Sequence, residues 1–278
     1  MDVGIVVFNG CDGLDPAALG RAVEERGFES LFYPEHTHIP VRSRRGDGSS
    51  TRDFAETYDP FVALAAAAAA TTTLKIGTAV CLVTQRDPII TAKEVASLDR
   101  LSGGRFLFGV GAGWNRREMA DHGTDPRTRM ALMAERVAAM RAIRTADEAE
   151  FHGRYVDFDP LWSWPKPAAR PHPPVLVGGN GPGTEDRVLA FGDGWMPQCG
   201  PLKSVEELEH RVAALRRRAA DAGGGPVPVT VFSPPYDRGV LDALAAAGVD
   251  RCLMSVRQHG SPAETLSALD TLTTLAPR

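Results

Sequence analysis

Cysteine is scarce in this chain of 278 residues: only Cys11, Cys81, Cys199 and Cys252, far apart and never spaced C-x-x-C. That pattern signals neither a zinc site nor a disulfide frame. Long apolar runs are missing too, and nothing approaches the roughly 20 uninterrupted apolar residues of a membrane helix. Positive charge is not in excess, since 31 Lys and Arg face 35 Asp and Glu for a net charge of -4. A nucleic-acid partner is therefore not expected. The opening MDVGIVVFNG lacks the positive n-region of a secretory signal and reads directly as a strand. What remains is the balance of a globular, cytoplasmic, enzyme-like chain acting on a small molecule, 43% hydrophobic and 24% charged.

Strands and helices alternate along it. VGIVVF (3–8) precedes Asp15-Pro16, an N-cap and first-turn proline that open a helix ending at Gly27. ESLFYP (29–34) is a second strand, and Asp59-Pro60 opens an alanine-rich helix of strong helix formers. LKIGTAVCLV (74–83) reads as the third strand, followed by a helix from Asp87-Pro88 to Leu101. RFLFGVG (105–111) is the fourth, and a long helix surrounds residues 130–143. EFHGRYVDF (150–158) alternates around His152-Gly153 as a hairpin and runs into a proline-rich extended segment. VLVGG, GWMPQ, VPVTVF (227–232) and RCLMSV (251–256) complete eight strands, with Ser204/Glu207 and Ser261/Glu264 forming capping boxes for later helices.

Short apolar strands, each followed by a helix, describe a parallel sheet covered on both faces. Eight such units over 1–278 predict a single α/β domain, a (β/α)8 TIM barrel with a hairpin and extended insertion between strands four and five. A doubly wound open sheet is the rival, but the first turn, VVFNGCDGLDP, carries no G-x-G-x-x-G. Barrel chemistry sits where strands end. Those positions include Phe8-Asn9, Glu35 to His38, Ala79 to Cys81, Gly111 to Asn115, Gly178 to Asn180, Met196, Gln198, Phe232-Ser233 and Ser255 to Arg257. They are poor in charge and rich in glycine, which suits a flat, largely apolar ligand approached closely by backbone. Gly178-Gly179-Asn180-Gly181, between a strand and a helix, is either a tight turn or a phosphate cradle.

The stretch GTAVCLVTQRDPIITAKEVASLDRLSGGRFLFGVGAGWNRREM resembles the most recognisable segment of the luciferase-like monooxygenase superfamily. GRYVDF…WPKP…PPVLVGGNGP…GDGW resembles the same family's second signature, so the likeness spans most of 77–195. Within the superfamily the chain looks most like the subgroup using the deazaflavin coenzyme F420. The resemblance implies a (β/α)8 barrel and hydride transfer between F420 and an organic substrate, with homodimers usual. The nearest alternative is an FMN-dependent monooxygenase using reduced flavin and oxygen. Composition leans toward F420 by association alone: four lysines against 27 arginines suggest a GC-rich genome, where F420 users are common.

Roles follow from the same resemblance. A non-proline cis peptide at Ala79–Val80, beside Cys81, would support the coenzyme's central ring, with Gly111 and Gly113 close by. Gly178, Gly179, Asn180 and Gly181 would bind the phosphate of its tail, helped by Thr184 and Arg187. Glu35 would contact the ring and His36 would move a proton. Histidine suits that task because its ordinary pKa lies near neutrality. Phe8, His38, Trp114 and Asn115 would meet substrate, and Trp162 and Trp164 could line a lid. Trp114 stands where the family's sugar-phosphate dehydrogenases carry glutamate, which argues against their substrate. Asn115 and Glu118 read either as pocket groups or as an ordinary helix start.

Two further readings concern charge and metal. VRSRRGDGSSTRDF (41–54) is mobile on composition, and Arg42, Arg44, Arg45 and Arg52 could draw the anionic tail of F420. His36-x-His38 prompts a metal-dependent hydrolase, but His122, His152, His172, His210 and His259 do not end strands in a ligand cluster, so no metal is expected. A non-catalytic flavin-binding relative is the third rival, against which Glu35-His36 argues.

Overall fold

The computed structural model describes residues 1–8, 13–200, 202, 204–258 and 260–275. Asn9, Cys11 and His259, considered above, lie outside the described residues. In chain order the elements begin with β1 (Asp2–Phe8), α1 (Pro16–Glu25), β2 (Ser30–Tyr33), α2 (Pro60–Ala69), β3 (Lys75–Thr78) and β4 (Cys81–Leu82). Then come α3 (Pro88–Leu101), β5 (Phe106–Gly111), α4 (Arg116–Asp121), α5 (Arg129–Thr145), and the hairpin β6 (Glu148–His152) with β7 (Asp157–Trp162). The chain continues through β8 (Val175–Gly178), α6 (Thr184–Phe191), β9 (Gly194–Met196) and α7 (Val205–Asp221). It finishes with β10 (Thr230–Phe232), α8 (Arg238–Ala246), β11 (Arg251–Arg257) and α9 (Pro262–Thr273).

The sheet runs β10-β11-β1-β2-β3-β5-β8-β9, all parallel, with β4 paired to β5. Bridges Trp195↔Val229 and Gln198↔Phe232 bring its two ends together and close the barrel. The alternation of elements is thus the expected (β/α)8 order, with the β6–β7 hairpin inserted between the fourth and fifth barrel strands. The main core lies between sheet and helices, and a smaller cluster around Val6, Phe32, Leu176, Met196 and Leu253 fills the barrel.

The Asp-Pro starts act as caps. Asp15, Asp59 and Asp87 each accept two first-turn N–H groups of α1, α2 and α3, with proline at the first helical position. Glu264 accepts from the Ser261 N–H to cap α9, while Ser204 accepts from the Glu207 N–H at α7. The third strand comes in two pieces: β3 ends at Thr78, a non-proline cis peptide joins Ala79 to Val80 where the resemblance implied one, and β4 resumes at Cys81. Apolar composition cannot reveal that break, because both pieces are buried. No helix among the described residues is long and apolar enough to cross a membrane.

Candidate active site at the C-terminal mouth of the barrel

A cavity of about 580 Å³ opens where the barrel strands end. Val80 forms its floor, wedged between the ends of β5 and β8. A Cβ on Gly111 would lie 2.4 Å from Val80 Cγ2, and one on Gly178 would lie 2.9 Å from Val80 Cγ1. Glycine at both positions therefore lets one valine stand between two strands. Ala79, Gly113, Gly179 and Asn180 also line the cavity, while Phe8, Met196 and Phe232 make an apolar wall. Cys81 is buried beneath this floor and outside the lining. Burial, and then the nearby Glu35, push its thiol well above the ordinary range.

Glu35 lines the cavity yet is tied down on both oxygens. Oε2 accepts from the Leu82 N–H at 2.6 Å, and Oε1 pairs with Arg86 Nε. The same guanidinium pairs with Glu94 and Asp59, so one cation gathers three acids. Burial would lower the Arg86 pKa, but Glu35 beside it raises it above the usual arginine value. Glu35 thus braces the bulge after Val80. Sequence reasoning placed it at the coenzyme and missed its link to Arg86, which no local pattern announces.

His36 stands beside it with a different partner. Its Nδ1 is 2.8 Å from Oε2 of Glu118, a side chain sealed from solvent on the first turn of α4. Asn115 sets that turn: its side chain caps α4 by accepting from the Arg117 and Glu118 N–H groups and donates to Ser43 Oγ at 3.0 Å. Trp114 Nε1 donates to His36 Nε2 at 3.2 Å, and its ring lies edge-on to the imidazole at 5.7 Å. Phe54 covers the same imidazole at 5.4 Å.

The four expected pocket residues separate here. Phe8 and Trp114 line the cavity; Asn115 is the buried cap of α4 and lies outside the lining. His38 lies outside it as well, with its ring bonded to Thr37 and Asp121. Trp162 and Trp164 are also absent from the lining and are largely exposed. The arginine-rich loop is largely exposed but bonded to itself. Arg44 donates to the Val41 and Ser43 carbonyls, and Arg45 bonds the Ser50 carbonyl, pairs with Asp53 and lies over the Phe54 ring. These contacts bring Asp53, Phe54 and Thr57 into the cavity wall, a role composition concealed. Arg257 and Ser255 at the end of β11, with Ser233 after β10, form the opposite wall.

The β8–α6 turn is glycine-dependent at Gly179 (φ 125°) and Gly183 (φ 72°). Asn180 fastens it to the next strand end, its amide donating to the Gln198 carbonyl and accepting from the Gln198 N–H, both at 2.9 Å. Thr184 Oγ1 donates to the Gly181 carbonyl, and Arg187 Nη2 donates to Thr184 Oγ1 at 3.0 Å, folding a cation over the start of α6. Gly181 and Arg187 lie beyond the cavity lining, on the outer side of this turn. Arg211, which the sequence did not single out, donates to the Asn180 carbonyl and stacks on Trp195. Trp195 is fully buried and donates to the Gly179 carbonyl.

Comparison with known proteins matches residues 15–272 to the luciferase-like monooxygenase family. An uncharacterized protein of Mycobacterium tuberculosis is 44% identical over 203 residues, covering 70% of this chain and 72% of that one. An FMNH2-dependent dimethylsulfone monooxygenase of Pseudomonas putida is 33% identical over 210 residues, 74% of this chain and 53% of that one. An F420-dependent secondary alcohol dehydrogenase, solved with an F420-acetone adduct, superposes with a TM-score of 0.77 at 19% identity over 100% of this chain and 99% of that one.

Proposed function

The chain belongs to the luciferase-like monooxygenase family, a family of oxidoreductases and monooxygenases, and from that premise we propose that it is an F420-dependent oxidoreductase acting on a small alcohol or carbonyl compound. The carrying observation is one acid–base residue, His36, in the wall of a cavity whose floor is a single valine between two glycines. The residues fit a flat heterocycle, because the floor bears no charge and admits close approach of the β5 and β8 backbones. Bound there, the deazaflavin would give or take a hydride at its reactive carbon. Phe8, Trp114, Met196 and Phe232 would exclude water and favour an apolar substrate body. His36 would take the hydroxyl proton during oxidation, or return it during reduction. Gly178, Gly179, Asn180 and Gly181 would receive the tail phosphate, with Arg187 held over the helix start.

The similar dimethylsulfone monooxygenase, whose name carries FMNH2, favours a second reading in which the same floor holds reduced FMN. Fluorescence titration of the apo-protein with F420 and, separately, with FMN decides between them; Trp114 lies in the cavity wall and reports occupancy. Micromolar F420 binding with weak FMN binding supports hydride transfer. The reverse order moves the assignment to oxygen chemistry. Unpaired thiols at Cys81, Cys199 and Cys252 accord with a reducing, cytoplasmic setting. The homodimer belongs to the same reading, with a small-molecule substrate as the other partner.

A further inference from the structure

Glu118, His36 and Trp114 form one line of hydrogen bonds across the cavity wall: carboxyl to Nδ1 at 2.8 Å, and indole N–H to Nε2 at 3.2 Å. An indole nitrogen can only donate. His36 Nε2 must therefore be the acceptor, which places the ring proton of the neutral imidazole on Nδ1, aimed at Glu118. Glu118 has no solvent exposure, and its second oxygen, Oε1, has no hydrogen-bond partner. A buried acid kept with one oxygen unmatched is costly as mere scaffolding. Among the described residues no other group bonds Nδ1, and Phe54 packs against the ring.

We propose that Glu118 is a positioning residue that fixes His36 as its Nδ1–H tautomer, and that Trp114 covers the basic Nε2 until a substrate hydroxyl takes the indole's place. The inference rests on the hydride-transfer reading above and narrows the substrate to a compound presenting an O–H donor. When an alcohol is oxidised, its carbinol C–H bond breaks and the hydride passes to F420. The O–H proton passes to Nε2, and the C–O bond becomes a carbonyl. Trp114 is half exposed, so its indole can move aside without disturbing the buried core. Glu118 accepts the Nδ1–H bond before and after the transfer and so holds the ring at one angle.

The test reads the nitrogen itself. Long-range 1H–15N NMR of apo-protein labelled with 15N-histidine, at pH 8 where histidine is ordinarily neutral, distinguishes the two tautomers. The His36 signal is assigned by its loss in His36→Asn. The expected spectrum shows a protonated Nδ1 and a bare Nε2. Trp114→Phe leaves the major form at Nδ1–H, whereas adding Glu118→Ala to Trp114→Phe moves it to Nε2–H. With 2-propanol and F420, Glu118→Ala lowers kcat about 10–100-fold while F420 binding is unchanged. An Nε2–H ring in the unsubstituted protein overturns the proposal without any variant having to fold, and so does an Nδ1–H ring that persists in the Glu118→Ala/Trp114→Phe double variant. The spectrum needs no coenzyme, so a failure of F420 to bind would count against the hydride-transfer reading alone.

Discussion

Arg86 and Glu35 are paired through Nε and Oε1 at the lip of the cavity, with 13% and 2% of their side chains exposed. Removing Arg86 would strand an acid that cannot reach water. Arg86→Ala should therefore cost about 3–5 kcal/mol, the range for breaking a buried pair from one side. Lysine at this position should recover only part of that, because a point charge cannot serve Glu35, Asp59 and Glu94 at three angles. Arg127→Ala, which breaks an exposed pair with Asp125, should leave the urea midpoint in place.

Val80 and Gly111 compete for the same space. Gly111→Ala puts a methyl 2.4 Å from Val80 Cγ2 and should destabilise by about 1–3 kcal/mol, the usual cost of overpacking. It should also abolish coenzyme binding by lifting the floor. Adding Val80→Ala removes the colliding methyl, so the double variant should be more stable than the sum of the two single changes predicts. A denaturation cycle on the four proteins measures this coupling.

Acid should unfold the protein partly through Glu29. Burial alone would raise its pKa, but Arg251 overrides that and, with Lys75, holds the carboxyl at about 2, below its ordinary 4.5. A value depressed by folding gives stabilisation that is complete above about pH 4.5 and fades as pH falls toward 2. At about 1.4 kcal/mol per pKa unit, the contribution is at most about 3.5 kcal/mol. Glu29→Gln should lose it at pH 7 and show a flatter stability profile between pH 4.5 and 2. Glu24 acts in the same direction: burial opposes the shift, but the N–H groups of Thr72, Thr73 and Leu74 hold it at about 2.

Phe54 ties the loop after β2 to the active wall, stacking near both His36 and Trp114. Phe54→Ala should open that wall and raise the KM for substrate several-fold, with the coenzyme's Kd little altered. Arg45→Ala should act in the same direction, since Arg45 holds Asp53 and lies over Phe54. Its effect should not vary between low and high salt, as it would if this arginine served to attract a charged tail.

The Asp-Pro caps, the order of strands and the glycine-rich strand ends were readable because their signals are local. Each cap needs only the next three residues, as Asp87 with Ile89 and Ile90 shows. The pairing of His36 with Glu118 spans 82 positions, and Glu35 with Arg86 spans 51. No periodicity reports such distances. One clue was available for Glu118: it lies in the first turn of a helix that begins just past a barrel strand, a place that faces the mouth of the barrel. His38 misled for a related reason. It follows the same strand end as His36, but two residues of irregular chain turn it toward Asp121 instead.

The longest ladder of the barrel joins β1 to β11, in register from Asp2↔Arg251 to Phe8↔Arg257. During synthesis the first strand therefore waits for a partner that begins only at Arg251, an interval of roughly 10–50 s at usual elongation rates. Through that time its edge is unpaired on one side, in a chain that cannot yet close its ring. Whatever shields that edge in the cell acts on a nascent chain already carrying His36, Val80 and Glu118, but not yet the wall that completes their cavity.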